Sequence, residues 1–171
     1  MVIPWIDEAR DRIYTVAHRR SLVPRDFAST VICAIAVADQ LVVAHIGDGC
    51  LVVHDKTNNV WVAPTWPDHG EYASTTRFIT DDPCPALRIS RHVGPVDALV
   101  MFTDGLERLA LDFATVTPHT PFLSGICGPL YGTSTKGRNH PLSEKLKTYL
   151  GSPAVNARTD DDKTLVLAVR Q

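Results

Sequence analysis

The chain has no long apolar run, no excess of either charge, no metal-type pairing of cysteines or histidines, and no internal repeat or low-complexity tract. Each absence removes a class of function. The longest uninterrupted apolar stretch, residues 31–38, is eight residues, against roughly 20 for a helix that crosses a bilayer. No membrane span is expected. Lys and Arg number 17 and Asp and Glu 19, a formal net charge of −2 over 171 residues, which argues against a nucleic-acid binder that works by bulk charge. Cys33, Cys50, Cys84 and Cys127 show no C-x-x-C spacing. Cys33 and Cys127 fall in apolar segments, so free buried thiols in a reducing cytosol are expected, not a disulfide frame or a zinc site. The seven histidines contain no H-x-H or H-x-x-x-H pair. The N-terminus, Met1-Val2-Ile3-Pro4-Trp5, runs straight into Asp7 and Glu8 without a basic-then-apolar leader, so no signal peptide is expected and the location reads as cytoplasmic.

What the chain does have is three acidic motifs, each where an apolar strand runs out. Ile46-Gly47-Asp48-Gly49 follows one such run, and Phe102-Thr103-Asp104-Gly105 follows another. Thr159-Asp160-Asp161-Asp162-Lys163-Thr164 precedes a third. A carboxylate at a strand end stands on a rigid element and still faces solvent. Several converging at one sheet edge make an oxygen-rich pocket suited to hard divalent cations, as a metal-assisted hydrolase needs.

The rest of the chain reads as a single domain, 1–171, of about the size that buries 68–70% of its unfolded surface. Apolar residues recur at helical spacing over 4–20. Strands are predicted over 30–38, 41–46, 50–54, 60–63, 86–93, 98–103 and 164–169, with Asp39-Gln40 as a two-residue hairpin turn. The strand at 30–38 is apolar throughout, so it should be covered on both faces. Helices are predicted over 106–113, 121–130 (with Thr120 as N-cap) and 142–150, ended by Gly151. Residues 132–139 read as a polar loop. Strands in one run, with helices before and after, give an α+β fold of packed antiparallel sheets with helices outside.

With these motifs in this order, the chain resembles the metal-dependent protein phosphatases (PPM, the type-2C serine/threonine phosphatases), in their compact bacterial branch. The resemblance rests on Ala28-Ser29-Thr30 opening a strand, Gly47-Asp48-Gly49, Thr103-Asp104-Gly105-Leu106 and Asp161-Asp162-Lys163-Thr164, and covers roughly residues 28–169. Single Gly-Asp or Asp-Gly pairs are common turn dipeptides; four motifs in family order are specific. The resemblance implies an α-β-β-α sandwich and a two-metal Mn²⁺ or Mg²⁺ centre that activates water against phosphoserine or phosphothreonine. It assigns Asp104 and Asp161 to the second metal and Asp48 to an additional, weaker ion. Asp162 stands where the family pattern has Asn. The implied partners are a phosphoprotein substrate and a cognate serine/threonine kinase in bacterial signalling.

The bland readings are a turn or N-cap for Asp104, a solvated charge run for Asp161, and a turn carboxylate for Asp48. Thr30 and Thr164 read as strand or network residues. His45 and His54 should face solvent or satisfy local bonds. His69, in Pro67-Asp68-His69-Gly70, reads first as a turn and second as a general acid.

Two departures stand out. No Asp-Gly motif in strand context precedes Gly47, so the family's bridging aspartate has no counterpart, and the first metal site is expected to be incomplete. The later acidic position of the family is Arg108 here, with Glu107 beside it. The fold is therefore expected to lack the N-terminal metal-binding strands, as a fragment or a degenerate phosphatase, with self-association through the uncovered sheet edge. The competing functions are a pseudophosphatase or phosphoprotein-binding module, an unrelated carboxylate-based metal phosphoesterase, and a purely structural domain.

Overall fold

A computed structural model of the chain describes residues 2–69 and 76–170. Helix α1 (Ile3–Arg19) opens it. Strands β1 (Val31–Val37), β2 (Gln40–Ile46), β3 (Cys50–Asp55), β4 (Val60–Thr65), β5 (Arg88–Val93) and β6 (Val96–Phe102) follow. Then come a short helix α2 (Glu107–Ala110), the strand pair β7 (Leu111–Asp112) and β8 (Thr117–Pro118), helices α3 (Thr120–Tyr131), α4 (His140–Leu150) and α5 (Pro153–Asn156), and strand β9 (Leu165–Val169).

The strands form two main antiparallel sheets, ordered β1-β2-β5 and β4-β3-β6-β9. Period-two alternation explains how they stack. In β2, Leu41 and Val43 face inward against Leu51 and Val53 of β3, making the layer between the sheets. Ala44 and Ile46 face outward, where Ile6, Ala9 and Ile13 of α1 cover them. On the second sheet Cys50, Val52, Val100 and Phe102 face outward against Leu106, Leu123, Cys127 and Leu150. Leu106 and Leu123 are fully buried there, each worth about 1.5–3 kcal/mol of transfer free energy. The layers are thus α-β-β-α, as the sequence implied. Among the described residues no helix is long and apolar enough to cross a membrane.

Several local expectations are corrected. The helix expected over 106–113 stops at Ala110. Asp112 Oδ1 accepts from the backbone N–H groups of Ala114 and Thr115 (2.9 and 3.3 Å), and this turn folds β7 back onto β8. Thr120 is the first residue of α3 and not its cap. His119 N–H donates to Ala110 O at 2.8 Å, holding residue 119 outside the helix. The first hairpin turn is Ala38-Asp39, one residue early, because Val37 pairs with Gln40; Ala38 adopts φ +49° to make it. Strand β1 is covered by α1 on one face and the second sheet on the other, yet it stands at a sheet edge and stays only half-buried. Cys50 and Cys127 are buried, Cys33 half-buried and Cys84 exposed, all as free thiols.

Candidate metal centre

Strand register brings the three acidic motifs to one end of the second sheet. Cys50 pairs with Phe102, and Phe102 with Leu165. The start of β3, the end of β6 and the start of β9 therefore share a row, and Asp48, Asp104 and Asp161 project just beyond it.

The Asp104 and Asp161 segments touch through backbone, although 57 positions separate them (161 − 104). Thr103 N–H donates to Thr164 O at 3.2 Å. The Thr103 hydroxyl oxygen accepts from Thr164 N–H at 3.0 Å and lies 3.4 Å from Asp162 O. Gly105 packs so tightly that a Cβ there would stand 2.3 Å from Asp162 O and 3.4 Å from Asp161 Cβ. Only glycine lets the two motifs close. Thr164 is accordingly a network residue, as its sequence context suggested.

Asp48 sits in the crossing from the first sheet to the second. Gly47 takes φ +104°, and a Cβ on it would strike the Thr30 side chain at 2.4 Å. Thr30 is thus the wall of this turn. The Thr76 hydroxyl donates to Asp48 Oδ2. Asp104 Oδ1 accepts from Gly105 N–H at 2.9 Å.

Electrostatics show that the carboxylates sense one another. Desolvation raises the Asp104 pKa, and the negative charges of Asp48 and Asp161 raise it further. The His69 ring acts on Asp104 in the opposite sense. His69 Nε2 lies 3.4 Å from Glu107 Oε2. Glu107 is buried, its Oε1 has no hydrogen-bond partner, and burial followed by Asp104 and Asp48 pushes its pKa up to about 8. Glu107 is the residue that sequence reasoning left without a role. Its signal was the acidic position shifted by one against Arg108.

Beneath the Asp48 turn lies a buried polar network that no sequence pattern announced. Of the two expected readings His45 takes the second, a ring that satisfies a bond: it is fully buried, and its Nδ1 is 2.8 Å from Thr65 Oγ1. Burial first, then Arg88, lowers its pKa to about 4, so the ring is neutral. Arg88 donates to Trp66 O and, at 2.9 Å, to Gly47 O. It thereby ties the Asp48 turn to the segment leading to His69. His54 is a half-buried partner of Asp97 at 2.7 Å, remote from this edge in the strand register.

Asp104 is thus near enough to sense both Asp48 and Asp161, all three offer hard oxygen donors, and the Lys163 ammonium donates to Asp161 O at 3.1 Å beside them. Among the described residues, no group of three or more His, Cys, Asp or Glu side chains is arranged to hold a metal ion. The donor chemistry fits a divalent cation, and the shell this chain offers is short.

A family model described as protein phosphatase 2C matches residues 4–151, a stretch that includes Asp48 and Asp104 and stops short of Asp161. Serine/threonine-protein phosphatase 3 of Escherichia coli (strain K12) is 41% identical over 161 residues, covering 94% of this chain and 62% of that protein. The chain therefore spans less than two thirds of that relative's length. The solved S. agalactiae serine/threonine phosphatase superposes with a TM-score of 0.57 at 17% identity, over 96% of this chain and 68% of that one. The serine/threonine phosphatase of Staphylococcus aureus does so with a TM-score of 0.55 at 18% identity, over 97% and 65%. At these identities the structures speak to the fold alone, and the fold agrees. With most of its length matched by the family model, the chain belongs to the protein phosphatase 2C family.

Proposed function

We propose that this chain carries part of the active centre of a metal-dependent serine/threonine phosphatase, with Asp104 and Asp161 as ligands of one Mn²⁺ or Mg²⁺ ion and Asp48 as a neighbour of a weaker one. The observation that carries the reading is the coupling at Asp104. A partly desolvated carboxyl whose pKa is raised by two further carboxylates is a site in want of a cation. When bound, such an ion supplies the acidification of water and the charge neutralisation that hydrolysis of a phosphate ester needs.

The chain's own residues do the remaining work. Gly105 lets Asp104 and Asp161 approach, and the Thr103–Thr164 bonds fix their backbones. Arg88 and Thr30 hold the Asp48 turn. His69, beside Glu107 and exposed at the same edge, is the residue we assign to give a proton to the departing serine or threonine oxygen. Without a cation, burial and then the charges of Asp104 and Asp48 disfavour the ionised form of Glu107. The substrate is a phosphoprotein, and a cognate serine/threonine kinase is the natural source of it. The reaction belongs in a bacterial signalling context, in the cytoplasm.

Two carboxylates hold Mg²⁺ weakly without further oxygens, so residues 1–171 alone should bind Mn²⁺ weakly and turn over slowly. Release of inorganic phosphate from a phosphothreonine peptide, with and without Mn²⁺, is the test. Asp104→Asn and Asp161→Asn should each lose at least about 100-fold of the Mn²⁺-dependent rate, and His69→Gln about 100-fold or more, as for loss of a general acid. Hydrolysis that needs no metal, or that survives Asp104→Asn, would overturn the reading. Tight phosphopeptide binding without any hydrolysis would make the chain a binding module.

A further inference from the structure

The turn between β7 and β8 holds an apolar side chain against His69. Register pairs Asp112 with Thr117, which leaves residues 113–116 as the turn. Asp112 Oδ1 accepts from the N–H groups of Ala114 and Thr115, and the Thr115 and Thr117 hydroxyl oxygens lie 2.7 Å apart. Held in this way, Val116 takes φ +54°, a left-handed backbone that a β-branched residue seldom adopts. The base of the hairpin is pinned as well. His119 N–H donates to Ala110 O at 2.8 Å, and His119 Nδ1 lies 3.0 Å from Leu109 O. Leu109 and Ala110 belong to α2, whose first residue is Glu107. The turn is therefore fixed to the helix that follows Asp104.

Phe113 is the first residue of that turn. Strand β8 lies against β4, and Trp66 directly follows β4, so the Phe113 ring meets Trp66 edge-on with centroids 5.7 Å apart. On its other side the ring stands 6.1 Å from the His69 imidazole. Phe113 nevertheless stays 43% exposed, and the His69 side chain 44%. Two neighbouring rings, one apolar and one ionisable, thus open onto solvent at the edge where Asp104 stands. Phe113 carries no polar side-chain atom, so it can neither hold a cation nor move a proton. What it offers at this edge is apolar area on a rigid turn.

A phosphopeptide lying extended across the carboxylate edge turns alternate side chains the same way, about 6.5–7 Å apart. The 6.1 Å between the His69 and Phe113 rings is close to that repeat. With the phosphorylated side chain at His69, the side chain that reaches Phe113 is two residues along the peptide. We propose that Phe113, held by the Asp112 turn and backed by Trp66, is a specificity-determining residue. It selects phosphopeptides that carry an apolar residue two positions from the phosphorylated serine or threonine. The proposal rests on the phosphatase reading for where the phosphoryl group sits.

The probes are labelled peptides with a non-hydrolysable phosphonate mimic of phosphothreonine, and with Leu, Gly or Glu placed two residues before or after it. Their binding to the full chain in Mn²⁺ is read by fluorescence anisotropy, without turnover. Leu at one of those two positions should bind about tenfold tighter than Gly, as for burial of part of a leucine side chain. Leu one or three residues away should gain nothing. Phe113→Leu should keep the preference and Phe113→Ser should lose it. Phe113→Lys should exchange it for a preference for Glu, a gain that neither an unfolded variant nor a merely structural role can give. No binding of any peptide, equal binding of the Leu, Gly and Glu peptides, a preference at other positions, or a Leu preference that survives Phe113→Lys overturns the proposal. Phosphate release from the matching phosphothreonine peptides is followed in parallel. Mn²⁺-dependent release at equal rates from all of them counts against Phe113 alone. A Phe113-dependent Leu preference in binding, without any release, supports the proposal and counts against the phosphatase reading.

Discussion

Glu107 keeps its proton well above the usual carboxylate range, with a folded pKa of about 8, because burial and then Asp104 and Asp48 disfavour its charge. Between its ordinary pKa of about 4.5 and 8 the native state holds a proton that the unfolded chain has lost, so stability falls as pH rises through that window. His45 works in the opposite sense. Its pKa is lowered from 6.5 to about 4, so between those values the unfolded chain binds the extra proton and stability rises with pH. The two slopes offset each other below pH 6.5, and only the loss from Glu107 remains between 6.5 and 8. Urea unfolding in EDTA should show stability declining there by at most about 1.4 kcal/mol per pH unit, and Glu107→Gln should flatten the profile. At Asp104 the prediction concerns repulsion. Asp104→Asn removes a carboxylate that Asp48 and Asp161 disfavour, so the metal-free variant should melt above the wild type. The same variant should lose the upward shift that Mn²⁺ gives the wild type. A wild type that Mn²⁺ does not stabilise would count against the site.

The contact between two elements, the end of β6 and the start of β9, depends on one missing side chain. Gly105→Ala puts a Cβ 2.3 Å from a backbone oxygen that cannot swing away. The expected cost is about 1–3 kcal/mol, as for overpacking, with weaker Mn²⁺ binding because Asp104 and Asp161 are pushed apart. Gly125→Ala is the control. Nothing stands within 4 Å of its Cβ position in α3, so alanine should stabilise by up to about 1 kcal/mol. Melting curves of the two variants should move in opposite directions. The elements themselves were mostly legible in the sequence, since short apolar runs such as 41–46 and 50–54, bounded by turn residues, announce strands buried on both faces, one between the sheets and one under a helix. The stretch 106–113 misled because Leu106, Leu109 and Ala110 fit a helix while the reversal is set by a single carboxylate, Asp112, capping two backbone amides. Local apolar spacing carries no trace of that turn.

At the scale of the whole molecule, two sheets between helices follow from the alternation of strands and the amphipathic segments at either end, and the motif order identified which strand ends would meet. What stayed hidden was polar and long-range. Nothing near Arg88 in sequence marks it as the bond between Gly47 and Trp66, and nothing near His45 marks it as buried, because their partners come from other strands. The central claim is that strand register makes Asp104 and Asp161 one cation site. A crystal of this chain grown with saturating Mn²⁺ tests it directly through the anomalous signal of the metal. The account expects a peak bridging the Asp104 and Asp161 carboxylates, at roughly the 2.0–2.1 Å ligand distance of a small hard cation. Manganese bound elsewhere, with both carboxylates free of it, would contradict the account.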